Sequence, residues 1–205
     1  MKQKGKDTKG LTIREISAVL LAGGASTRYG GRIKAKSLIG GEKIIDRALR
    51  LIKNVFDEII IVTNTPEEFT EYYGLILTTD HFRGAGPLGG IHAAMKVSSR
   101  KAVFVFAGDM PFLNSKLILD QITYAGDNHA DAIIPEVNGK VEPLHGIYMN
   151  YLITDLESHL SSGKDKALRS FLQTINVTFY RPDISDEVIK AFVNINSPGD
   201  ARKYS

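Results

Sequence analysis

Two stretches of the chain concentrate residues suited to handling phosphate and a hard cation. Residues 23–34, Gly23-Gly24-Ala25-Ser26-Thr27-Arg28-Tyr29-Gly30-Gly31-Arg32-Ile33-Lys34, hold four glycines, two hydroxyls and three bases. Glycine lets backbone amides approach an anion closely, and Arg and Lys bring charge to phosphate oxygens. A solvated flexible loop is the alternative for such a segment. The second stretch is Gly108-Asp109-Met110-Pro111. A single carboxylate in such a turn can hold Mg²⁺, which takes one or two carboxylates and completes its shell with substrate phosphates; it can equally be a turn or helix-capping aspartate. Asp80 carries the same two readings.

Two phosphate-binding patterns are nearly matched. Gly30 to Ser37 approaches the P-loop pattern, but Ala35 stands where the second glycine belongs. Gly84-Ala85-Gly86-Pro87-Leu88-Gly89 is a literal GxGxxG with Asp109 downstream, as a dinucleotide-binding oxidoreductase would show. However, Asp80, His81, Phe82 and Arg83 separate its first glycine from the preceding apolar run, whereas that turn should be tight. None of the five histidines is spaced as a zinc motif. His145, in Glu142-Pro143-Leu144-His145-Gly146, lies beside a turn and is either a site histidine or a core one. With no cysteine, disulfides, thiolate metal sites and cysteine nucleophiles are excluded.

These residues need a frame, and the apolar pattern supplies one. Continuous apolar runs at 16–22, 58–63, 75–79 and 102–107 read as buried strands. Helical periodicity at 43–54, 87–97 and 113–124 alternates with them, and Thr65-Pro66-Glu67-Glu68 reads as a further helix start with Thr65 as cap. Alternation of this kind predicts a parallel sheet with helices on both faces, a three-layer α/β/α Rossmann-like fold. Later strands are expected at 132–135, 144–149 and 177–180, one of them antiparallel, with 192–195 closing the sheet. Helices are expected at 152–160 and 164–173, and a final turn capped by Ser197. In open α/β sheets ligands gather outside the carboxyl ends of the strands, where residues 23–34, Asp80 and Asp109 all fall.

The 205 residues have ordinary globular composition, with 43% hydrophobic and 24% charged side chains. The net charge is +3. Residues 1–14 hold five bases and one acid, leaving the rest of the chain at −1. The excess base therefore belongs to a leader, not to a folded face that would grip nucleic acid. Residues 1–15 are expected to form a basic, flexible leader and 16–205 a single domain. No apolar h-region follows the lysines and no run is long enough to span a bilayer, so a soluble cytoplasmic protein without nucleic-acid or membrane partners is expected.

Taken together and in order, Leu21-Ala22-Gly23-Gly24, Arg28, Gly30-Gly31, Lys34, Asp80, Gly86-Pro87-Leu88-Gly89-Gly90, Asp109-Met110-Pro111 and Phe192-Val193-Asn194-Ile195-Asn196-Ser197-Pro198 resemble the nucleotide-diphospho-sugar transferase-like superfamily. Within it they are most similar to the MobA-like family of molybdenum cofactor guanylyltransferases. The resemblance spans residues 16–204. It implies a Mg²⁺-dependent transfer of GMP from GTP to the terminal phosphate of molybdopterin, with release of pyrophosphate. It also implies transient contact with a molybdenum-insertion protein and with apo-molybdoenzymes.

Carried over, the resemblance assigns GTP binding to Leu21, Ala22, Gly23, Gly24, Lys34, Asn64, Asp80 and Asp109. Catalysis falls to Arg28, Lys34 and Asp109, with Asp109 on the metal. Gly89, Gly90, Asn194 and Asn196 would lie on the pterin or phosphate side. Gly24 favours GTP, because the cytosine-using relatives carry LAAG in place of LAGG. The chain departs from the family in three places. Ile33 precedes the loop lysine where an acid is common, and Lys36 competes with Lys34 for that role. Gly108 replaces a common cysteine. Asn64 is shifted relative to the family's asparagine. A related cytidylyltransferase or sugar-phosphate nucleotidyltransferase is the alternative.

Overall fold

The β-branched and aromatic runs form the strands their composition predicts. The computed structural model describes residues 10–23, 33–82, 84–162 and 165–204. In chain order these contain β1 (Ile16–Leu21), β2 (Leu38–Ile39), β3 (Glu42–Lys43), α1 (Ile44–Ile52), β4 (Ile59–Val62), β5 (Ile76–Thr78), α2 (Pro87–Val97), β6 (Ala102–Ala107), α3 (Ser115–Asp127), β7 (Ala132–Val137), β8 (Lys140–Val141), β9 (His145–Met149), α4 (Ile153–Ser161), α5 (Leu168–Leu172), β10 (Val177–Tyr180), α6 (Asp186–Ala191) and α7 (Pro198–Arg202).

The main sheet runs in the order β10-β7-β9-β6-β1-β4-β5, with β8 paired to β7. β1 pairs in parallel with β4 and β6, and β4 with β5. β9 is antiparallel to both β6 and β7. Alternation along the central strands sorts the core into two layers. Ile16, Ala18 and Leu20 of β1 and Phe104 and Phe106 of β6 pack with α1, α3 and Phe192. Val19, Val103 and Val105 point the other way, onto α2, α4 and α5. A sheet covered on both faces must be apolar on both, which is why these strands read as unbroken hydrophobic runs. Among the described residues no helix is long and apolar enough to cross a membrane.

Some elements differ from the sequence-based expectation. Residues 10–15 are seated on the body rather than frayed: Leu11 is 7% exposed and the Gly10 N–H donates to Gly126 O at 2.7 Å. A Cβ at position 126 would stand 2.9 Å from Leu11 O, so only glycine accepts this contact without movement. A capping box between Thr12 and Glu15 holds the turn that follows. Pro66–Tyr72 forms a 3-10 segment kinked at Phe69, and the Thr65 side chain does not cap it. Burial of Phe69, which is fully inaccessible, overrides the helix signal. Residues 192–195 are not a strand. They leave α6, a helix the hydrophobic pattern does not announce, capped by Ser185 Oγ accepting from the Val188 N–H at 3.2 Å. Ser197 does cap α7, accepting from the Asp200 N–H at 3.1 Å.

Candidate active site

The carboxyl ends of β1, β4 and β6 open onto a cavity of about 560 Å³. Leu21, Ala22 and Gly23 form its floor. Two backbone bonds pin this floor: Ala22 N–H to Val62 O at 2.9 Å, and Gly108 N–H to Leu21 O at 3.0 Å. The second explains Gly108, since a Cβ there would lie 2.5 Å from Leu21 O. A cysteine at this position would push β1 and β6 apart at the site.

One side of the cavity is ionic. Lys34 Nζ lies 3.2 Å from Asp109 Oδ2 and 2.8 Å from Asn196 Oδ1. Three segments distant in sequence thus converge on one ammonium. The backbone locks them together, with the Ile195 N–H donating to Asp109 O at 2.9 Å. The lysine and the aspartate side chains are 25% and 19% exposed: shielded, yet open to the cavity. Lys36 does something else. It pairs with Glu68 at 3.3 Å and Glu71 at 3.5 Å and lies over the Phe69 ring, clamping the kinked 3-10 segment. Geometry therefore separates the two candidate lysines.

The opposite side is built on Asp80 and Asn64. Asn64 Oδ1 accepts from the Asp80 N–H at 3.2 Å, leaving its amide NH₂ as a donor at the cavity. Asp80 Oδ1 accepts from the Phe82 N–H at 2.7 Å. Burial raises the pKa of Asp80. The Phe82 N–H opposes this, as does the electrostatic attraction of nearby His92, His81 and Lys166. Gly89 packs directly on this carboxylate: a Cβ there would lie 2.5 Å from Asp80 Cγ and closer still to both oxygens. An anion at the first turn of α2 would thus meet Asp80, which disqualifies the literal GxGxxG as a pyrophosphate cradle. Its glycines serve the turn, with Gly84 and Gly86 at φ +77° and +58°. Gly90 lines the cavity, and a Cβ on it would meet Leu21 Cδ2 at 2.9 Å.

Not every expected residue arrives. Asn194 turns its amide onto Phe192 O at 3.4 Å and is not among the cavity-lining residues. Gly24 and Arg28 lie outside the described residues. His145 is a core residue: it is fully buried, its Nδ1 is 3.1 Å from Gln121 Oε1, and its ring packs edge-on against Phe104 and Phe106. Burial pushes its pKa down to about 4, so it is neutral. The site residue in that motif is its neighbour. Leu144 lines the cavity, and its carbonyl accepts from the Ala107 N–H at 3.0 Å. Thr63 and Ala35 also line it without any chemical signal in the sequence.

No group of three or more His, Asp or Glu side chains gathers as a metal cage among the described residues. The donors at Asp109 and Asn196 are oxygens, and a cation, the Lys34 ammonium, already sits between them. That donor set fits a hard divalent ion bound mainly through substrate phosphates.

A glycine floor under a cavity, one lysine, a carboxylate open to that cavity and a second polar wall, all at the carboxyl edge of a mostly parallel sheet, define a nucleotidyltransferase. The chain belongs to the MobA-like NTP transferase domain family, whose model matches residues 18–178. It is 32% identical to the molybdenum cofactor guanylyltransferase of Desulfosudis oleivorans, over 92% of this chain and 93% of that one. It is 35% identical to a protein named "probable molybdenum cofactor guanylyltransferase" from Peptoclostridium acidaminophilum, over 92% and 88%. The crystal structure of molybdopterin-guanine dinucleotide biosynthesis protein A from Archaeoglobus fulgidus superposes with a TM-score of 0.75 at 27% identity, covering 92% of this chain and 96% of that one.

Proposed function

We propose that the protein transfers GMP from GTP to the terminal phosphate of molybdopterin, releasing pyrophosphate. The observation that carries this reading is the Lys34–Asp109 pair, held from behind by Asn196, opposite Asp80 and Asn64 across a single cavity. One wall offers an ammonium beside a carboxylate that would hold a metal, as a triphosphate requires. The other offers a carboxylate acceptor and an amide donor, as a nucleoside requires. The names of the relatives supply the acceptor.

A phosphate oxygen of the acceptor attacks the α-phosphorus in line while the bond from that phosphorus to the β-phosphate oxygen breaks. Little covalent chemistry falls to the protein; it orients the reactants and offsets charge. Leu21, Ala22 and Gly23 carry the nucleotide along the strand ends, and Gly24 follows them in the sequence motif. Lys34, together with Arg28 shortly before it in the sequence, would neutralise the departing pyrophosphate. Asp109 and Asn196 are the residues that would hold Mg²⁺, which would supply positive charge against the phosphate oxygens. Asp80 and Asn64 meet the base or ribose; Gly89, whose open side is filled by the Asp80 carboxylate, serves that wall and not the acceptor, and Gly90 lines the cavity on the acceptor side.

The test is calorimetric titration with GTP and CTP in the presence of Mg²⁺, followed by pyrophosphate release with molybdopterin. Selective GTP binding with release that depends on the acceptor is the expected result. Selective CTP binding would move the protein to the cytidylyltransferases and overturn the Gly24 argument.

A further inference from the structure

Behind the Asp80 wall stands a line of side chains that the transfer reaction does not use. His92 on α2 is 2% exposed. Its Nε2 lies 2.9 Å from Glu157 Oε1 on α4, while its buried Nδ1 has no hydrogen-bond partner among the described residues. A carboxylate at that distance places a proton on Nε2 and fixes the ring plane. Burying the other nitrogen unpaired is unfavourable, and an aliphatic side chain could fill the place without that cost. Packing alone therefore does not account for a histidine here.

The ring has a specific neighbour. Phe82 meets it edge-on, with centroids 4.9 Å apart and planes at 86°. The backbone N–H of the same Phe82 is the donor to Asp80 Oδ1. His92 also lies three residues beyond Gly89 on α2, hence on the helix face whose glycine makes room for the Asp80 carboxylate. Glu157, His92, Phe82 and Asp80 thus form a continuous line from α4 to the cavity.

We infer that His92, oriented by Glu157, is a positioning residue for nucleoside selection: through Phe82 it fixes the Asp80 carboxylate at the cavity wall, and so favours a base that presents N–H donors on one edge. The inference rests on the guanylyltransferase reading. Guanine offers a ring N–H and an amino group side by side. Cytosine sets acceptors next to its single amino group, and these a fixed carboxylate repels.

The experiment uses the full chain carrying His92→Leu, with Glu157→Gln and His92→Gln as companions. Calorimetry gives the affinities for GTP and CTP, and pyrophosphate release separates KM from kcat. In His92→Leu the KM for GTP should rise about tenfold, kcat should stay within about twofold, and the preference for GTP over CTP should narrow by the same factor. His92→Gln, read the same way, replaces His92→Leu if that variant does not fold. Glu157→Gln should give a smaller loss of the same kind. The inference fails if a folded His92 variant keeps its GTP affinity and preference. It fails equally if both nucleotides weaken alike, which would mark a loosened cavity and not a fixed carboxylate. A wild-type protein that prefers CTP or neither nucleotide would instead overturn the guanylyltransferase reading; the positioning role would then stand or fall on whether His92 variants change the affinity of the nucleotide that does bind.

Discussion

Gly89→Ala is the sharpest test of the cavity wall. An open glycine in a helix gains about 0.5–1 kcal/mol on replacement by alanine. Gly89 is not open: the new methyl would fall 2.5 Å from Asp80 Cγ, with both oxygens closer. Ordinary contact at about 3.5 Å requires the carboxylate to retreat by about 1 Å. At that displacement the 2.7 Å bond from the Phe82 N–H is lost. Hydrogen bonds to charged groups contribute about 1.5–3 kcal/mol. The substitution should therefore destabilise the protein where alanine would otherwise stabilise it. With Asp80 displaced, GTP affinity should fall by about ten- to a hundredfold. Thermal melting and calorimetry of the same sample read both effects. A variant that melts at or above the wild-type temperature and binds GTP normally would refute the placement of Asp80.

Other substitutions separate roles that look alike in the sequence. Asp109→Asn should lower pyrophosphate release by at least about a hundredfold through loss of the metal-side charge, with little change in melting temperature. Lys34→Met should also lower turnover by at least tenfold, whereas Lys36→Met should leave it within about twofold and cost no more than about 1 kcal/mol of stability, because Lys36 serves surface carboxylates. Burial holds the pKa of His145 near 4 against an ordinary 6.5, so the unfolded chain binds the extra proton first. Stability should be full above about pH 6.5 and fall by about 3 kcal/mol as the pH drops to 4. Chemical unfolding across that range should show the slope in the wild type and lack it in His145→Gln.

The frame of the molecule was legible because strands covered on both faces write their burial directly into sequence. Residues 102–107, all apolar, can be little else than a central strand. Lys34 and Asp109 were legible as charged residues in glycine-rich turns. Other features depend on contacts between distant segments. Nothing local tells Lys34 from Lys36, since the difference is whether Asp109 or Glu68 lies opposite. His145 drew attention by its chemistry, yet the cavity takes Leu144 because alternation along β9 turns the imidazole into the core. α6 stayed hidden because six residues, of which only Ala191 is buried, carry almost no periodic signal. Residues 192–195, rich in β-branched and aromatic side chains, instead give up a backbone N–H to Asp109.

The reversal of β9 has a bearing on how such a site can be retuned. Because β9 runs against β6, the loop leading into it arrives at the cavity, where Leu144 bonds to Ala107. Its exit lies at the other end of the sheet, where the Asn150 N–H meets Lys101 O at 2.8 Å. Lengthening the chain between β8 and β9 therefore reshapes the wall at Leu144 and leaves the glycine floor alone. Lengthening it just after Met149 alters a surface remote from the chemistry. The Leu144 wall and the glycine floor of the cavity thus sit on separately editable segments of one sheet.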